Sequence, residues 1–163
     1  MNQPFSLTPQ QVEVQRQLAG PETHHLVYGG SRSGKTFLFC RSIAIRALKA
    51  ARSRHAIIRY RSIDAKQAVW ADTWGKMMGL CFPTVGREPH KQEGYETLEN
   101  GSEIWFGGLD DADRADKILG KEYATIYLNE VSQISYPSVL VARTRLAQKI
   151  NQQDGAPLPL KGY

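Results

Sequence analysis

The residue types with the clearest chemical meaning form one short segment, residues 29–36, which reads Gly-Gly-Ser-Arg-Ser-Gly-Lys-Thr. This is the P-loop pattern of glycine, four residues and Gly-Lys-Thr. Glycines let backbone N–H groups turn inward around phosphate oxygens, lysine reaches the β- and γ-phosphates, and the threonine hydroxyl ligates the bridging Mg²⁺. The predicted nucleotide-binding residues are Gly29, Gly30, Ser31, Arg32, Ser33, Gly34, Lys35 and Thr36.

A second segment, residues 126–130, is an apolar run that ends in Asn129 and Glu130. It resembles the Walker B element of P-loop hydrolases that carry an additional glutamate. In such enzymes a carboxylate orients the water that attacks the γ-phosphate, and we predict this catalytic role for Glu130. Asparagine stands at position 129 where aspartate is usual. Its carbonyl oxygen can accept the same hydrogen bond without a charge, so Asn129 is predicted to act on Mg²⁺ through water, beside Thr36.

The elements that must position these groups follow from the periodicity of apolar residues. Residues 24–28 form a short apolar run that stops at the glycines, and residues 34–51 repeat apolar residues at three-to-four spacing. The loop is therefore predicted to join a strand to a helix. The other predicted elements are strands at residues 56–60 and 124–128 and helices at residues 64–78, 111–119 and 137–150.

A β-hairpin is predicted where Asn100-Gly101 separates residues 95–98 from residues 102–106. Both turn residues tolerate the positive φ of a type I′ turn. Strands alternate with helices elsewhere in the chain, which favours an α/β fold. We predict a P-loop NTPase with a mainly parallel sheet flanked by helices, plus a β-hairpin insertion.

Composition limits the function without defining it. The chain has 163 residues, a net charge of +5 and two cysteines outside any zinc-binding pattern, which fits one globular domain in a reducing compartment. No apolar run approaches the roughly 20 residues that a membrane helix needs, so no membrane partner is expected. The positive charge permits a nucleic-acid partner, and the group Arg52, Arg54, Arg59 and Arg61 is a candidate for DNA-phosphate contacts.

Together, residues 7–11, 29–36, 119–134 and 142–146 resemble the ATPase half of the large terminase subunit of tailed bacteriophages. The resemblance implies a motor that uses ATP and Mg²⁺ to package double-stranded viral DNA into the procapsid, in the cytoplasm of a bacterial host. It implies a ring-forming homo-oligomer with the portal and the small terminase subunit as partners. It also implies that residues 1–163 are a single, incomplete P-loop ATPase domain without the C-terminal nuclease domain of such subunits.

The resemblance also implies roles for individual residues. Gln11, with Gln10 as second choice, would contact the adenine edge, and Arg32 would stabilise γ-phosphate charge in catalysis, because an arginine stays protonated. An arginine supplied to a neighbouring subunit is expected as well. The candidates for it are Arg114, Arg143 and Arg145.

Other functions remain open at this point. The chain could be another P-loop ATPase, such as a helicase-like protein, or a nucleotide kinase, although a kinase should lack a glutamate after the later strand. It could also be a truncated nucleotide-binding module without turnover. The sequence leaves open the oligomeric state, the DNA-end specificity, the arginine that acts in trans, and whether Asn129 supports the metal.

Overall fold

The computed structural model describes residues 6–30 and 33–163, which fold around one six-stranded sheet. The strands are β1 (Arg54–Arg59), β2 (Arg87–His90), β3 (Tyr95–Leu98), β4 (Glu103–Gly108), β5 (Thr125–Leu128) and β6 (Lys161–Gly162). The helices are α1 (Pro9–Leu18), α2 (Lys35–Lys49), α3 (Ser62–Asp64), α4 (Gly75–Cys81), α5 (Ala112–Leu119) and α6 (Tyr136–Thr144). A π-helical segment, Ala65–Trp74, joins α3 to α4, and a 3₁₀ turn, Val131–Gln133, follows β5.

The strand order is β2-β3-β4-β1-β5-β6. Strands β4, β1, β5 and β6 pair in parallel, whereas β3 pairs antiparallel with both β2 and β4. The predicted α/β fold with a mainly parallel sheet is therefore confirmed. The predicted hairpin is more than an insertion, because its second strand, β4, lies beside β1 near the middle of the sheet.

Helices cover both faces of the sheet because alternate strand residues point to opposite sides. Ile57 and Tyr127 pack in one apolar cluster with residues of α2 and the 62–81 helical stretch. Ile58 and Ile126 face the opposite way and pack in a second cluster with Ile118 of α5. The sheet is buried from both sides, which is why its central strands are almost entirely apolar.

Most predicted helices and strands match the observed ones to within a few residues, but the last helix is shorter than predicted. Helix α6 ends at Thr144 instead of residue 150. The chain then turns back to Tyr123, whose backbone N–H donates to Arg145 O at 2.8 Å and whose carbonyl accepts from Ala147 N at 3.2 Å. These bonds take the place of another helical turn. Among the helices of the described residues, none is long and apolar enough to cross a membrane.

The hairpin turn differs from the predicted type I′ turn. Leu98 N–H donates to Ser102 O at 2.8 Å, so the loop has three residues. Of these three loop residues, 99–101, only Gly101 has a positive φ, 79°. The Asn100 side chain makes two hydrogen bonds: Nδ2 donates to Ala47 O at 2.8 Å, and Oδ1 accepts from Ser102 N. These bonds hold the Asn100 backbone outside the left-handed region. This is the three-residue loop in which one left-handed residue is sufficient.

The strand predicted for residues 24–28 is wrong beyond its first residue. His24 forms an isolated parallel bridge with Gly162, and His25 N–H donates to Gly162 O at 2.9 Å. Leu26 and Tyr28 are 77% and 89% exposed. In the part of the chain that the structure describes, the strand beside this segment is β6, which has two residues, so the ladder of hydrogen bonds is short.

Candidate functional site

The lysine of the P-loop lies at the first residue of α2, directly after the loop. Gly34 caps this helix with a left-handed backbone, φ 78° and ψ 13°, which favours glycine. The Lys35 ammonium donates to Gly29 O at 2.9 Å, Gly30 O at 2.7 Å and Ser33 Oγ at 3.0 Å. The positive charge is therefore held within the loop, at the positive end of α2. Ser31 and Arg32 lie outside the described residues.

Gln11 lies against the P-loop. It closes the capping box of α1, in which Thr8 N–H donates to Gln11 Oε1 at 3.0 Å and Gln11 N–H donates to Thr8 Oγ1 at 3.3 Å. Its amide nitrogen lies 2.6 Å from the position that a Cβ on Gly34 would take. A side chain at position 34 would make the end of the Gln11 side chain move, so the close contact depends on the glycine, whose left-handed backbone already favours that residue type. Gln10 is exposed.

The two motifs meet at Thr36 and Asn129, which are 93 positions apart in sequence. Asn129 Nδ2 donates to Thr36 Oγ1 at 3.1 Å and to the Tyr127 hydroxyl at 2.6 Å. The contact that was predicted for the Asn129 carbonyl is thus made by its amide nitrogen. Asn129 directly follows β5, whose carboxyl end lies at the edge of the sheet where α2 begins, and the residue is 95% buried.

Tyr127 is a site residue that the sequence interpretation missed. Its ring stacks on Phe39 of α2, with ring centroids 4.4 Å apart, and burial raises the pKa of its hydroxyl to about 12. The hydroxyl therefore stays protonated beside Thr36 and Asn129. A signal was present in the sequence, because residues 127 and 129 of an extended strand point to the same face.

Glu130 has an unusual backbone and one ion-pair partner. Its φ of 55° and ψ of 50° lie in the left-handed region, which costs a residue with a side chain about 1–3 kcal/mol. Its carboxylate pairs with the Arg59 guanidinium, which β1 presents from the neighbouring strand. The Glu130 side chain is 49% exposed and that of Arg59 only 13%. The carboxylate is thus held at the edge of the site but is open to solvent.

The four arginines predicted as one DNA-contacting group do not form a single cluster. Arg52 and Arg54 lie at the amino end of β1, where Arg54 pairs with Glu103 at 2.8 Å. Arg59 and Arg61 lie at its carboxyl end, about 17 Å away at 3.3 Å per residue, and Arg59 is bound to Glu130. These arginines are close in sequence, but the extended strand between them places the two pairs at opposite ends of β1.

A cavity of about 1050 Å³ joins the two motifs. The predicted site residues that line it are Gly29, Ser33, Gly34, Lys35, Thr36, Asn129 and Glu130. The π-helical segment and α4 add Asp72 and Lys76, which form an ion pair at 2.5 Å, and α6 adds Arg143. Arg114 and Arg145 do not line this cavity, so Arg143 alone of the three candidate arginines faces its own site.

The donors around the cavity suit a metal ion that arrives with a phosphate ligand. Within residues 6–30 and 33–163, no group of three His, Cys, Asp or Glu side chains could hold a metal. Thr36 supplies a hydroxyl and Asn129 an amide next to it. Mg²⁺ keeps several waters and commonly takes few protein ligands together with substrate phosphates, so this donor set fits Mg²⁺.

Comparisons with solved structures show the same fold in three phage proteins. The large terminase of a thermophilic bacteriophage, also solved with ADP, is 19% identical with a TM-score of 0.73, over 98% of this chain and 38% of that one. A mutant ATPase domain of the Thermus phage P74-26 large terminase is 15% identical with a TM-score of 0.62, over 86% and 62%. The HK97 bacteriophage large terminase is 17% identical with a TM-score of 0.63, over 99% and 33%.

The chain spans less than two thirds of the length of each of these proteins. A comparison with curated protein sequences found no match. Residues 26–153 match the family described as "Terminase large subunit, T4likevirus-type, N-terminal". That segment covers most of the chain and contains the P-loop, Asn129 and Glu130, so the chain belongs to this terminase family.

Proposed function

We propose that this chain is the ATP-hydrolysing domain of a phage motor that packages double-stranded DNA. The observation that carries the proposal is the meeting of the P-loop hydroxyl, Thr36, with the strand-end residue Asn129 at 3.1 Å. Glu130 follows directly and lines the same cavity. A phosphate-binding loop and a carboxylate at one edge of a parallel sheet are two of the groups that P-loop nucleotide hydrolases use.

In this proposal the loop binds the phosphates of ATP. The Lys35 ammonium exchanges its three acceptors within the loop for β- and γ-phosphate oxygens, and the first turn of α2 adds its N–H groups. The fold likeness to a terminase solved with ADP supports a nucleotide as the ligand. Gln11, which lies against Gly34, is placed beside the loop, where it would meet the adenine edge.

Thr36 and Asn129 would hold Mg²⁺, Thr36 through its hydroxyl and Asn129 through water. The metal would neutralise charge on the β- and γ-phosphates. Tyr127 would hold the Thr36 and Asn129 side chains in place, because its hydroxyl lies beside both, accepts from Asn129 Nδ2 and stays protonated. A neutral amide at position 129 gives the site one negative charge fewer than an aspartate would.

Glu130 would orient and polarise the attacking water. The water oxygen would form a bond to the γ-phosphorus while the Glu130 carboxylate accepts a proton from that water; the bond from the phosphorus to the β–γ bridging oxygen breaks with its electron pair staying on ADP, and ADP and phosphate leave. The carboxylate must first turn from Arg59 toward the cavity. Arg32 would add positive charge as the transition state forms.

The motor role extends beyond this domain. Packaging would place the protein in a ring-forming homo-oligomer, with the portal and the small terminase subunit as partners, in the host cytoplasm. Residues 1–163 would be one P-loop domain of a longer motor that also carries a nuclease domain. Arg143 lines its own cavity, which favours a role toward its own nucleotide over one toward a neighbour's.

A nucleotide-binding module without turnover is the second candidate function. Two observations favour it: Asn129 stands where related hydrolases have aspartate, and Glu130 is paired with Arg59. Such a module would bind ATP with the same loop but leave the γ-phosphate intact. Measured hydrolysis therefore separates the two functions.

Nucleotide binding is tested with Lys35→Ala. We expect this variant to lose at least about 100-fold in affinity for a fluorescent ATP analogue with Mg²⁺, because charge-assisted bonds to phosphate are among the strongest. Lys49→Ala is the matched control, since Lys49 is an exposed residue at the other end of α2. Equal affinities in the two variants would contradict the assignment of the P-loop.

A further inference from the structure

Lys161 of β6 is a buried cation that takes no part in the proposed chemistry. The residue is 2% exposed, and its side chain is among the largest fully buried ones. Lysine is almost never fully buried unless it is paired, yet none of the ion pairs among the described residues includes Lys161. Its ammonium binds the backbone instead, because Nζ donates to Gly20 O at 2.6 Å and to Glu22 O. The buried charge is therefore compensated by the carbonyl dipoles of a single turn, residues 20–22.

The turn that Lys161 binds connects two parts of the nucleotide site. It follows α1 and precedes the segment that leads into the P-loop. That segment has its own backbone bonds to β6, since Gly162 N–H donates to Thr23 O at 2.8 Å and His25 N–H donates to Gly162 O at 2.9 Å. Removal of the Lys161 ammonium would thus free the turn at the end of α1 and leave the backbone bonds of the P-loop segment in place.

Helix α1 has few other contacts that fix its place. Leu18, its last residue, is its only buried residue, and in its first turn Gln11 lies against Gly34 of the P-loop. Gln11 lies about two turns before Leu18, so about 10 Å of helix separates it from the turn that Lys161 binds. A helix of this length moves as a rigid rod, and a shift at its end therefore moves Gln11 as well.

The orientation of the Gln11 amide is also fixed by α1. Its Oε1 accepts from Thr8 N–H at 3.0 Å, so the amide cannot turn over without losing the capping box of the helix. Adenine presents an N–H donor at the position where guanine presents a carbonyl acceptor. A side-chain amide with a fixed orientation can therefore discriminate between the two bases, as long as α1 keeps its place beside the loop.

We propose that Lys161 is a positioning residue for base recognition: its ammonium holds the 20–22 turn, and through α1 it keeps Gln11 at the adenine edge of the nucleotide. This role rests on the proposed function, in which Gln11 meets that edge and the P-loop binds the phosphates. A hydrogen-bonding group must be held to within about 0.5 Å of its working position. Loss of the Lys161 ammonium should thus weaken recognition of the base and leave binding of the phosphates intact.

The test compares Lys161→Met, which keeps the apolar length of the side chain, with Lys149→Met, the same change at an exposed lysine. The Mg²⁺ complexes of ATP, GTP and inorganic tripolyphosphate each compete with a fluorescent ATP analogue, and the melting temperature of every variant is measured. We expect Lys161→Met to lower the ratio of ATP affinity to GTP affinity about 10-fold, the equivalent of one hydrogen bond. Its affinity for tripolyphosphate, which has no base, should match that of the control.

A third variant, Gln11→Ala, shows whether Lys161 acts through Gln11. It should lower the same ratio, and the double variant should lower it no further than Gln11→Ala alone, because the coupling between two residues that act as one unit removes the second loss. A loss of stability by itself leaves the ratio unchanged, since all three ligands bind the same folded fraction.

The positioning role is overturned if Lys161→Met has the same ratio of ATP to GTP affinity as Lys149→Met, or if the double variant shows the full sum of both losses. If Lys161→Met does not fold, Lys161→Gln, whose shorter side chain keeps a neutral donor, decides by the same ratio. Tripolyphosphate identifies failure of the proposed function: an unmodified chain that does not bind it lacks a phosphate-binding loop. A chain that binds it without preferring ATP to GTP lacks only the base contact, and either result also overturns the role of Lys161.

Discussion

Two glutamates of this chain, Glu96 and Glu130, show how the same side chain acquires different roles. Glu96 on β3 is 96% buried and accepts from the indole N–H groups of Trp70 and Trp74, at 2.9 and 3.0 Å, and from Arg87 at 3.2 Å. Glu130 is half-exposed, has Arg59 as its ion-pair partner and adopts a left-handed backbone.

The difference lies in what each carboxylate can do without unfolding its surroundings. Releasing Glu96 would leave the indole N–H groups of the fully buried Trp74 and the partly buried Trp70 without acceptors, whereas the Arg87 side chain is 33% exposed and can turn to water. Releasing Glu130 breaks one ion pair at the edge of an open cavity. A carboxylate that can change partners at low cost is suited to chemistry, whereas one with several buried donors is suited to holding the π-helical segment against the sheet.

The largest effect on stability is expected from Glu96→Ala. Its removal leaves the Trp70 and Trp74 donors unpaired and should lower the free energy of unfolding by about 3 kcal/mol. Chemical denaturation followed by tryptophan fluorescence measures this loss. Glu88→Ala, at an exposed position on the neighbouring strand β2, is the control and should change stability by less than about 0.5 kcal/mol. Equal stabilities would remove the structural role of Glu96.

A second buried group extends the comparison to pH. His55 is fully buried between Ser53 and Thr125, each at 2.8 Å, and burial lowers the pKa of its imidazole to about 3. In the unfolded chain the pKa of His55 is about 6.5, so below that pH the unfolded state binds a proton at His55 and the folded state does not. The free energy of unfolding therefore falls as pH drops from about 6.5 toward 3. The loss approaches about 1.4 kcal/mol per pH unit from this group alone.

His55→Gln keeps hydrogen-bonding groups at position 55 but removes the titration. Its stability should change less between pH 6.5 and pH 5 than that of the unmodified chain, as measured by denaturation at each pH. The same slope in both proteins would mean that His55 is protonated in the folded state.

A smaller effect is expected at the open site, from Arg59→Gln. In the proposed mechanism the Glu130 carboxylate must leave Arg59 before it can act, so removing the ion pair should raise basal ATP hydrolysis a few-fold without changing ATP affinity. Arg61→Gln, exposed near the same strand end, should leave hydrolysis unchanged. Loss of hydrolysis in the Arg59 variant alone would instead place Arg59 among the groups that stabilise the transition state.

The sequence was sufficient to predict those parts of the site that lie within one short motif or one helix or strand. The P-loop, helix α2, strand β5 and the adjacency of Thr36 to the end of that strand all followed from short motifs and apolar periodicity. Local patterns were sufficient there because local propensity and burial favour the same structure.

The errors concern contacts between distant segments. Arg59 was grouped with nearby arginines because its partner, Glu130, lies 71 positions away and meets it only through the pairing of β1 with β5. The turn at Asn100 changed type because of a hydrogen bond to Ala47 on α2. Residues 24–28 carry a strand pattern, but the ladder also needs a neighbour of matching length.

The most direct test of ATP hydrolysis at this site is a paired measurement on Glu130→Gln, with ATP affinity and phosphate release determined on the same preparation. The amide keeps the shape of the side chain but cannot act as a base. We predict unchanged affinity for Mg²⁺-ATP and a loss of hydrolysis of at least about 100-fold, the lower range for a positioned general base. Hydrolysis at the unmodified rate in this variant would contradict the role of Glu130, and with it the assignment of the cavity as the hydrolytic site.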